Sequence, residues 1–109
     1  MKYFDEIEKS ARERNIPVME KEGLEFLIQT FEEYQCHRCL EIGSAIGYSA
    51  MMMVSNINDF VVETIELDEN RYQEALKNIH EQKLENQIEK AKQRKVWLNC
   101  GGFITIDPT

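Results

Sequence analysis

The run Leu40-Glu41-Ile42-Gly43-Ser44-Ala45-Ile46-Gly47-Tyr48-Ser49-Ala50 constrains this chain more than any other stretch. A short apolar segment enters two glycines, and the glycines enter a helix-forming segment. Further on, Phe60-Val61-Val62-Glu63-Thr64-Ile65 gives a β-branched strand that ends at Glu66 and Asp68. Strand, glycine loop, helix and strand in this order read as an α/β crossover with a parallel sheet. In open α/β folds the loops at the carboxyl ends of such strands form the ligand crevice.

The rest of the chain fits that frame. Phe4, Ile7 and Ala11 recur at helical intervals from Phe4 to Arg14, and Asn15-Ile16-Pro17 ends the helix because proline pushes its predecessor out of the α region. Leu24, Leu27, Ile28, Phe31 and Tyr34 share one face of a second helix. Helix three runs from about Tyr48 to Ser55, and Asn56 to Asp59 supplies turn chemistry. Asp68 can cap a fourth helix whose core face is Tyr72, Ala75, Leu76 and Ile79. After Glu85 a polar stretch leads to Gly101-Gly102 and a late strand over Phe103-Ile104-Thr105-Ile106. The expected order is α-α-β-α-β-α plus a late strand, in a single domain spanning 1–109.

Charge and size narrow the function. A net charge of -7 and a pI near 4.9 oppose broad contact with a phosphate backbone, since steering toward a polyanion needs the opposite sign. No run approaches the roughly 18 apolar residues of a membrane span, and the acidic start Met1-Lys2-Tyr3-Phe4-Asp5 does not read as a leader. Cys36, Cys39 and Cys100 are three cysteines without a disulfide pattern, which fits a reducing, cytoplasmic setting. Cys36-His37-Arg38-Cys39 lacks the second ligand pair a zinc site needs, so these thiols read as structural. Met51-Met52-Met53 reads as core filler.

The glycine loop limits the ligand. Ala45 and Tyr48 stand where the dinucleotide fingerprint wants its second and third glycines, so a nicotinamide or flavin dinucleotide is disfavoured. The lysine of a phosphate-cradling P-loop is absent after Gly47. What remains is a nucleoside with little or no phosphate. The helix start at Gly47-Tyr48-Ser49 offers N–H groups to a carboxylate, and Glu66 at a strand end can accept bonds from vicinal ribose hydroxyls. S-adenosyl-L-methionine carries a ribose and an amino-acid carboxylate without phosphate.

The Leu40–Ala50 run resembles the first motif of the S-adenosylmethionine-dependent O-methyltransferases of the catechol and caffeoyl-CoA type. Ile16-Pro17-Val18-Met19-Glu20-Lys21-Glu22-Gly23 and Thr64-Ile65-Glu66-Leu67-Asp68-Glu69-Asn70-Arg71-Tyr72 are similar to its bacterial branch, which includes tRNA 5-hydroxyuridine methyltransferases. The resemblance runs from about Ile7 to Ile88 and implies a Rossmann-like methyltransferase fold, present as its cofactor-binding half plus a shortened C-terminal piece. It implies methyl transfer to a hydroxyl acceptor, either a tRNA wobble 5-hydroxyuridine or a small hydroxylated aromatic.

The same resemblance implies cofactor roles residue by residue. Met19 would lie over the methionine part and Gly43 and Ser44 under it. Gly47, Tyr48 and Ser49 would meet its carboxylate, Glu41 would stand near its ammonium group, Glu66 would bind the ribose, and Leu67 would pack on adenine.

The match breaks after the helix ending near Lys83. The family places two more strands there, and neither is expected here, since Asn86-Gln87-Ile88-Glu89 passes almost directly to Lys92-Gln93-Arg94-Lys95-Val96-Trp97-Leu98. Gly101 to Asp107 is similar to the family's fifth strand, whose aspartate binds a divalent metal. Asp107 alone cannot build a magnesium site, which wants several oxygen ligands, so the family's metal is unsupported. The rival reading is an inactive fragment that serves as an interaction module, a homo-oligomer paired through open strand edges.

Overall fold

The computed structural model describes residues 1–91 and 103–107, with side chains described for residues 1–89. The elements are α1 (Asp5–Glu13), α2 (Lys21–Glu33), β1 (Arg38–Ile42), α3 (Tyr48–Asn56), β2 (Val61–Ile65), α4 (Glu69–Glu81), β3 (Ile88–Ala91) and β4 (Phe103–Asp107). The expected α/β order holds for every element up to α4. The fold is Rossmann-like, with β1, β2 and β3 parallel in one sheet ordered β3-β2-β1-β4.

Parallel pairing follows from the connections, because α3 links β1 to β2 and α4 links β2 to β3, and parallel strands need a crossover of this kind. The register sets Cys39 beside Val62 and Glu41 beside Thr64. These residues share one sheet face, since side chains alternate along a strand.

That face is covered by α3, which packs on β2 and β3 and against α2. Helix α3 is apolar nearly all round, which is the signature of a fully enclosed helix, and Tyr48, Ala50, Met51, Met52, Met53 and Val54 are all buried. The three methionines are core filler, as their unbranched side chains suit irregular gaps. From α2, Leu24, Ile28 and Phe31 enter the core, and Phe31 stacks on Phe60 with ring centroids 5.2 Å apart. Tyr34 departs from the expected stripe: it caps α2 and is exposed, because the helix ends there and the chain turns away through Gln35 at φ 55°. Cys36 and Cys39 are buried free thiols.

Helix α1 ends through Asn15 at φ 57°, ahead of Pro17 as its sequence requires. Within it Arg12 pairs with Glu8 one turn away at 2.9 Å, and Arg14 at its end ties it to Glu74 of α4 at 2.5 Å. At the start of α4, Asp68 Oδ1 accepts from the Arg71 N–H at 2.9 Å, which is the expected cap. Among the described residues no helix is long and apolar enough to cross a membrane.

Two features correct the sequence expectation. First, a strand does follow α4: β3 pairs parallel to β2, with Ile88 beside Val62 and buried in the core. Its flanking polar residues hide it in the sequence, since it needs only one inward apolar side chain to dock as an edge. Second, the late strand β4 runs antiparallel to β1, with Phe103 opposite Ile42 and Asp107 opposite Arg38. In an otherwise parallel sheet this direction is one that the residue order does not announce. Trp97, Gly101 and Gly102 lie outside the described residues.

Candidate functional site

The glycine loop joins the carboxyl end of β1 to the start of α3. Gly43 (φ 95°), Ala45 (φ 51°) and Gly47 (φ 88°) all have positive φ, so three of five successive residues sit in the left-handed region. Glycine tolerates this region at no steric cost, whereas Ala45 is held in it by its hydrogen bond. The N–H groups of Gly43 and Ser44 both donate to the Ile65 carbonyl, at 2.8 and 3.1 Å, and the Gly47 N–H donates to the Ser44 carbonyl at 2.9 Å. The loop is therefore sewn to the tip of β2. An added Cβ at Gly47 would meet Ala75 Cβ and Ile79 Cγ1 at 3.5 Å, an ordinary contact, so the positive φ rather than crowding against α4 is what favours glycine here.

Glu66, 7% exposed, stands at that tip. Its Oε1 accepts from the Ala45 N–H at 2.7 Å and its Oε2 from the Asp68 N–H at 3.0 Å. A carboxylate has about four lone-pair positions, so two remain for a ligand hydroxyl pair. The same arrangement also gives Glu66 a structural task, that of tying the loop to β2.

Glu41, 4% exposed, lies beneath the loop. Thr64 Oγ1 donates to its Oε1 at 2.8 Å, and Ser44 Oγ lies 2.5 Å from Thr64 Oγ1. Burial pushes the Glu41 carboxyl up to about 7; the Thr64 bond opposes this and the Glu66 charge adds to it. Burial, with Glu41 next, pushes the Cys39 thiol on the same face up to about 12, which leaves it protonated and unreactive.

The structure thus brings together Glu41, Gly43, Ser44, Gly47 and Glu66. The Tyr48 side chain turns inward and is buried, with a hydroxyl that has no hydrogen-bond partner among the described residues. Burial and then Glu8 push that phenol up to about 12. What Tyr48 and Ser49 can offer at the loop is the backbone N–H end of α3, whose first residue is Tyr48. Leu67 is 54% exposed beside Glu66 in sequence, as an open apolar wall would be.

Met19, 37% exposed, belongs to the segment before α2, where its carbonyl accepts from Arg12 at 3.4 Å and its side chain lies against Gly23. Asp107 pairs with Arg38, at the opposite end of β1 from the loop, and is remote from the other site residues. Among the described residues no three His, Cys, Asp or Glu side chains gather as a metal cluster. These residues do not assemble the donor set for the magnesium that the sequence resemblance implies.

Sequence reasoning missed Ala45, whose contribution is its backbone N–H, and Thr64. A signal for Thr64 exists: it is the polar residue inside a β-branched run and stands two before Glu66, hence on the same sheet face.

Comparison with known proteins gives two findings. A family model described as the Ribonuclease E/G family matches residues 1–109. Among solved structures, a Staphylococcus aureus protein assigned as a caffeoyl-CoA O-methyltransferase is 30% identical with a TM-score of 0.79, over 83% of this chain and 43% of that one. A Geobacter sulfurreducens methyltransferase is 22% identical with a TM-score of 0.69, over 82% of this chain and 47% of that one. A Bacillus cereus O-methyltransferase, in complex with SAH, is 24% identical with a TM-score of 0.67, over 79% of this chain and 40% of that one. The chain therefore spans less than half the length of these structures.

The two findings name different chemistries. For the site the structural likeness carries more weight, because it matches the arrangement of strands and helices that places the glycine loop beside Glu66, whereas the family match brings no site residue with it. By the family match over residues 1–109 the chain belongs to the Ribonuclease E/G family, and in three dimensions its fold is that of the class I O-methyltransferases.

Proposed function

We propose that this chain binds S-adenosylmethionine, as the cofactor-binding part of an O-methyltransferase. The observation that carries the proposal is the Glu66 carboxylate, anchored to the glycine loop through Ala45 yet with acceptor capacity left over. A single side chain at a strand tip can then take both hydroxyls of a ribose, while the N-terminal end of α3 attracts a carboxylate. Gly43 and Ser44 would line the floor under the ligand, with Gly47, Tyr48 and Ser49 at its carboxylate. Glu41 would face its ammonium, Leu67 its adenine, and Met19 would cover it from the segment before α2. The Bacillus cereus neighbour is described with SAH, which has this set of groups.

When bound, that cofactor supplies a methyl group on a positively charged sulfur, open to in-line attack by an acceptor hydroxyl. The residues described here bind and orient; positioning two reactants is itself a large part of such catalysis. None of the described side chains at the loop is placed as a general base. For the acceptor, the sequence resemblance favours a hydroxylated uridine in tRNA over a small aromatic alcohol, although the net charge of -7 opposes broad RNA contact.

Isothermal titration with S-adenosylhomocysteine tests the reading. Micromolar binding that is lost in Glu66→Ala supports it. No heat of binding, together with a stable dimer in sedimentation, favours an interaction module that pairs through the edges of β3 and β4. A second reading rests on the family match alone: cleavage of single-stranded RNA by the purified chain, without binding of S-adenosylhomocysteine, would replace the methyltransferase assignment.

A further inference from the structure

Glu41, Thr64 and Ser44 form a polar chain that nothing in the binding scheme above requires as a unit. Thr64 Oγ1 lies 2.8 Å from Glu41 Oε1 and 2.5 Å from Ser44 Oγ, and all three residues are buried. A threonine hydroxyl has one proton to give. While Glu41 is ionised, that proton goes to the carboxylate, so the bond to Ser44 must be donated by Ser44. The Ser44 hydroxyl then shows only lone pairs to the loop. When Glu41 is protonated the chain can reverse, and Ser44 gains a free O–H.

We propose that Thr64 is a positioning residue of the ligand site: it holds the Glu41 carboxylate ready for an ammonium-bearing ligand and sets whether Ser44 of the glycine loop donates or accepts. This rests on the cofactor-binding reading. A buried carboxylate with one hydroxyl partner among the described residues is under-compensated by them, and a cation brought to it by a ligand offsets the cost of its charge.

Among the described side chains none brings Glu41 a cation. Glu66 at the tip of β2 is of like charge, and Cys39 on its own strand is a neutral thiol. Helix α3 over this sheet face carries no charged residue from Tyr48 to Asn56, the register partner on β4 is Ile104, and on β3 Lys90 stands in register with Thr64, one strand further from β1. Without ligand, Glu41 therefore takes up a proton near neutrality, and binding of an ammonium group expels it.

Two measurements test this: carbon NMR titration of the Glu41 carboxyl in the ligand-free chain, and calorimetric affinity for S-adenosylhomocysteine between pH 5.5 and 8.5. In the wild type, affinity rises with pH on the acid limb, by at most about tenfold per pH unit for one expelled proton, and falls at higher pH as the ligand's own ammonium deprotonates. Thr64→Val removes the donor while keeping the shape. It moves both the Glu41 titration and the acid limb to higher pH, and weakens binding at pH 7 by about threefold to tenfold with a smaller loss at pH 8.5. Thr64→Ser restores both, and Glu41→Gln flattens the acid limb.

A folded Thr64→Val chain with wild-type titration and pH profile overturns the proposal while leaving the cofactor assignment standing. No binding by the wild type at any pH overturns both together. Should Thr64→Val fail to fold, Thr64→Ala, which also removes the donor but demands less of the packing, carries the same test: a Glu41 titration moved to higher pH supports the proposal, and an unmoved titration overturns it.

Discussion

The Ala45 amide and the Glu66 carboxylate meet at 2.7 Å, across 21 residues of sequence and between two neighbouring strand ends. The bond fixes the bend of the glycine loop against the tip of β2, so two expected binding elements are held as one body before any ligand arrives.

Removing that carboxylate has a structural as well as a functional effect. Glu66→Ala leaves the Ala45 and Asp68 N–H groups without their acceptor and lowers stability by about 1–3 kcal/mol, read from urea unfolding. Glu66→Gln, which can still accept at one oxygen, loses less stability than Glu66→Ala while both lose affinity for S-adenosylhomocysteine. Equal affinity in wild type and both variants would show that ribose is not bound at this tip.

Glu41 makes the chain's stability depend on pH in an unusual direction. Its carboxyl sits near 7 in the folded chain against 4.5 for an exposed glutamate, so between those values the folded state holds more protons than the unfolded one. The stabilisation is complete below about 4.5 and is lost as pH rises through 7, an effect on the order of 3 kcal/mol for a shift of this size. Glu41→Gln removes this slope. Denaturation midpoints at pH 5, 6, 7 and 8 check the difference between the two chains, which cancels the contribution of other groups.

Gly47 is the loop position most sensitive to a side chain. At φ 88° an alanine has room, with neighbours at 3.5 Å, yet it pays the left-handed backbone cost of about 1–2 kcal/mol. Gly47→Val adds β-branched crowding against Ala75 and Ile79 and is the worse of the two. Thermal unfolding of both variants orders them; equal stability to wild type would show that the loop relaxes out of this conformation.

Asp68→Ala removes the cap of α4 and costs about 1 kcal/mol. Amide hydrogen exchange localises the effect, with faster exchange at Arg71 and the first turn of α4 and no change in α2.

Much of this architecture is legible in the order of residues. The crossover from β1 to β2 is announced by β-branched runs, turn residues and the two glycines, and the cap at Asp68 by its place before an amphipathic stretch. The strand β3 is not legible, because Ile88 stands among Gln87, Glu89 and Lys90, and its stability comes from backbone pairing with β2 rather than from its own composition. At the site, Glu66 and the loop are readable because strand-end acids and glycines carry specific geometric demands. The hydroxyl of Thr64 becomes significant only once the register puts it beside Glu41, a relation between strands that no single segment contains.

The reversed direction of β4 alters how the sheet could ever be enlarged. A chain segment lying counter to β1 uses up the N–H and C=O groups along that flank, from Arg38 to Ile42, and leaves no vacancy for a co-directional newcomer. To lie directly against β1 such a newcomer would first have to peel five residues away, so that flank is latched, whereas among the described residues no strand covers the outer flanks of β3 and β4.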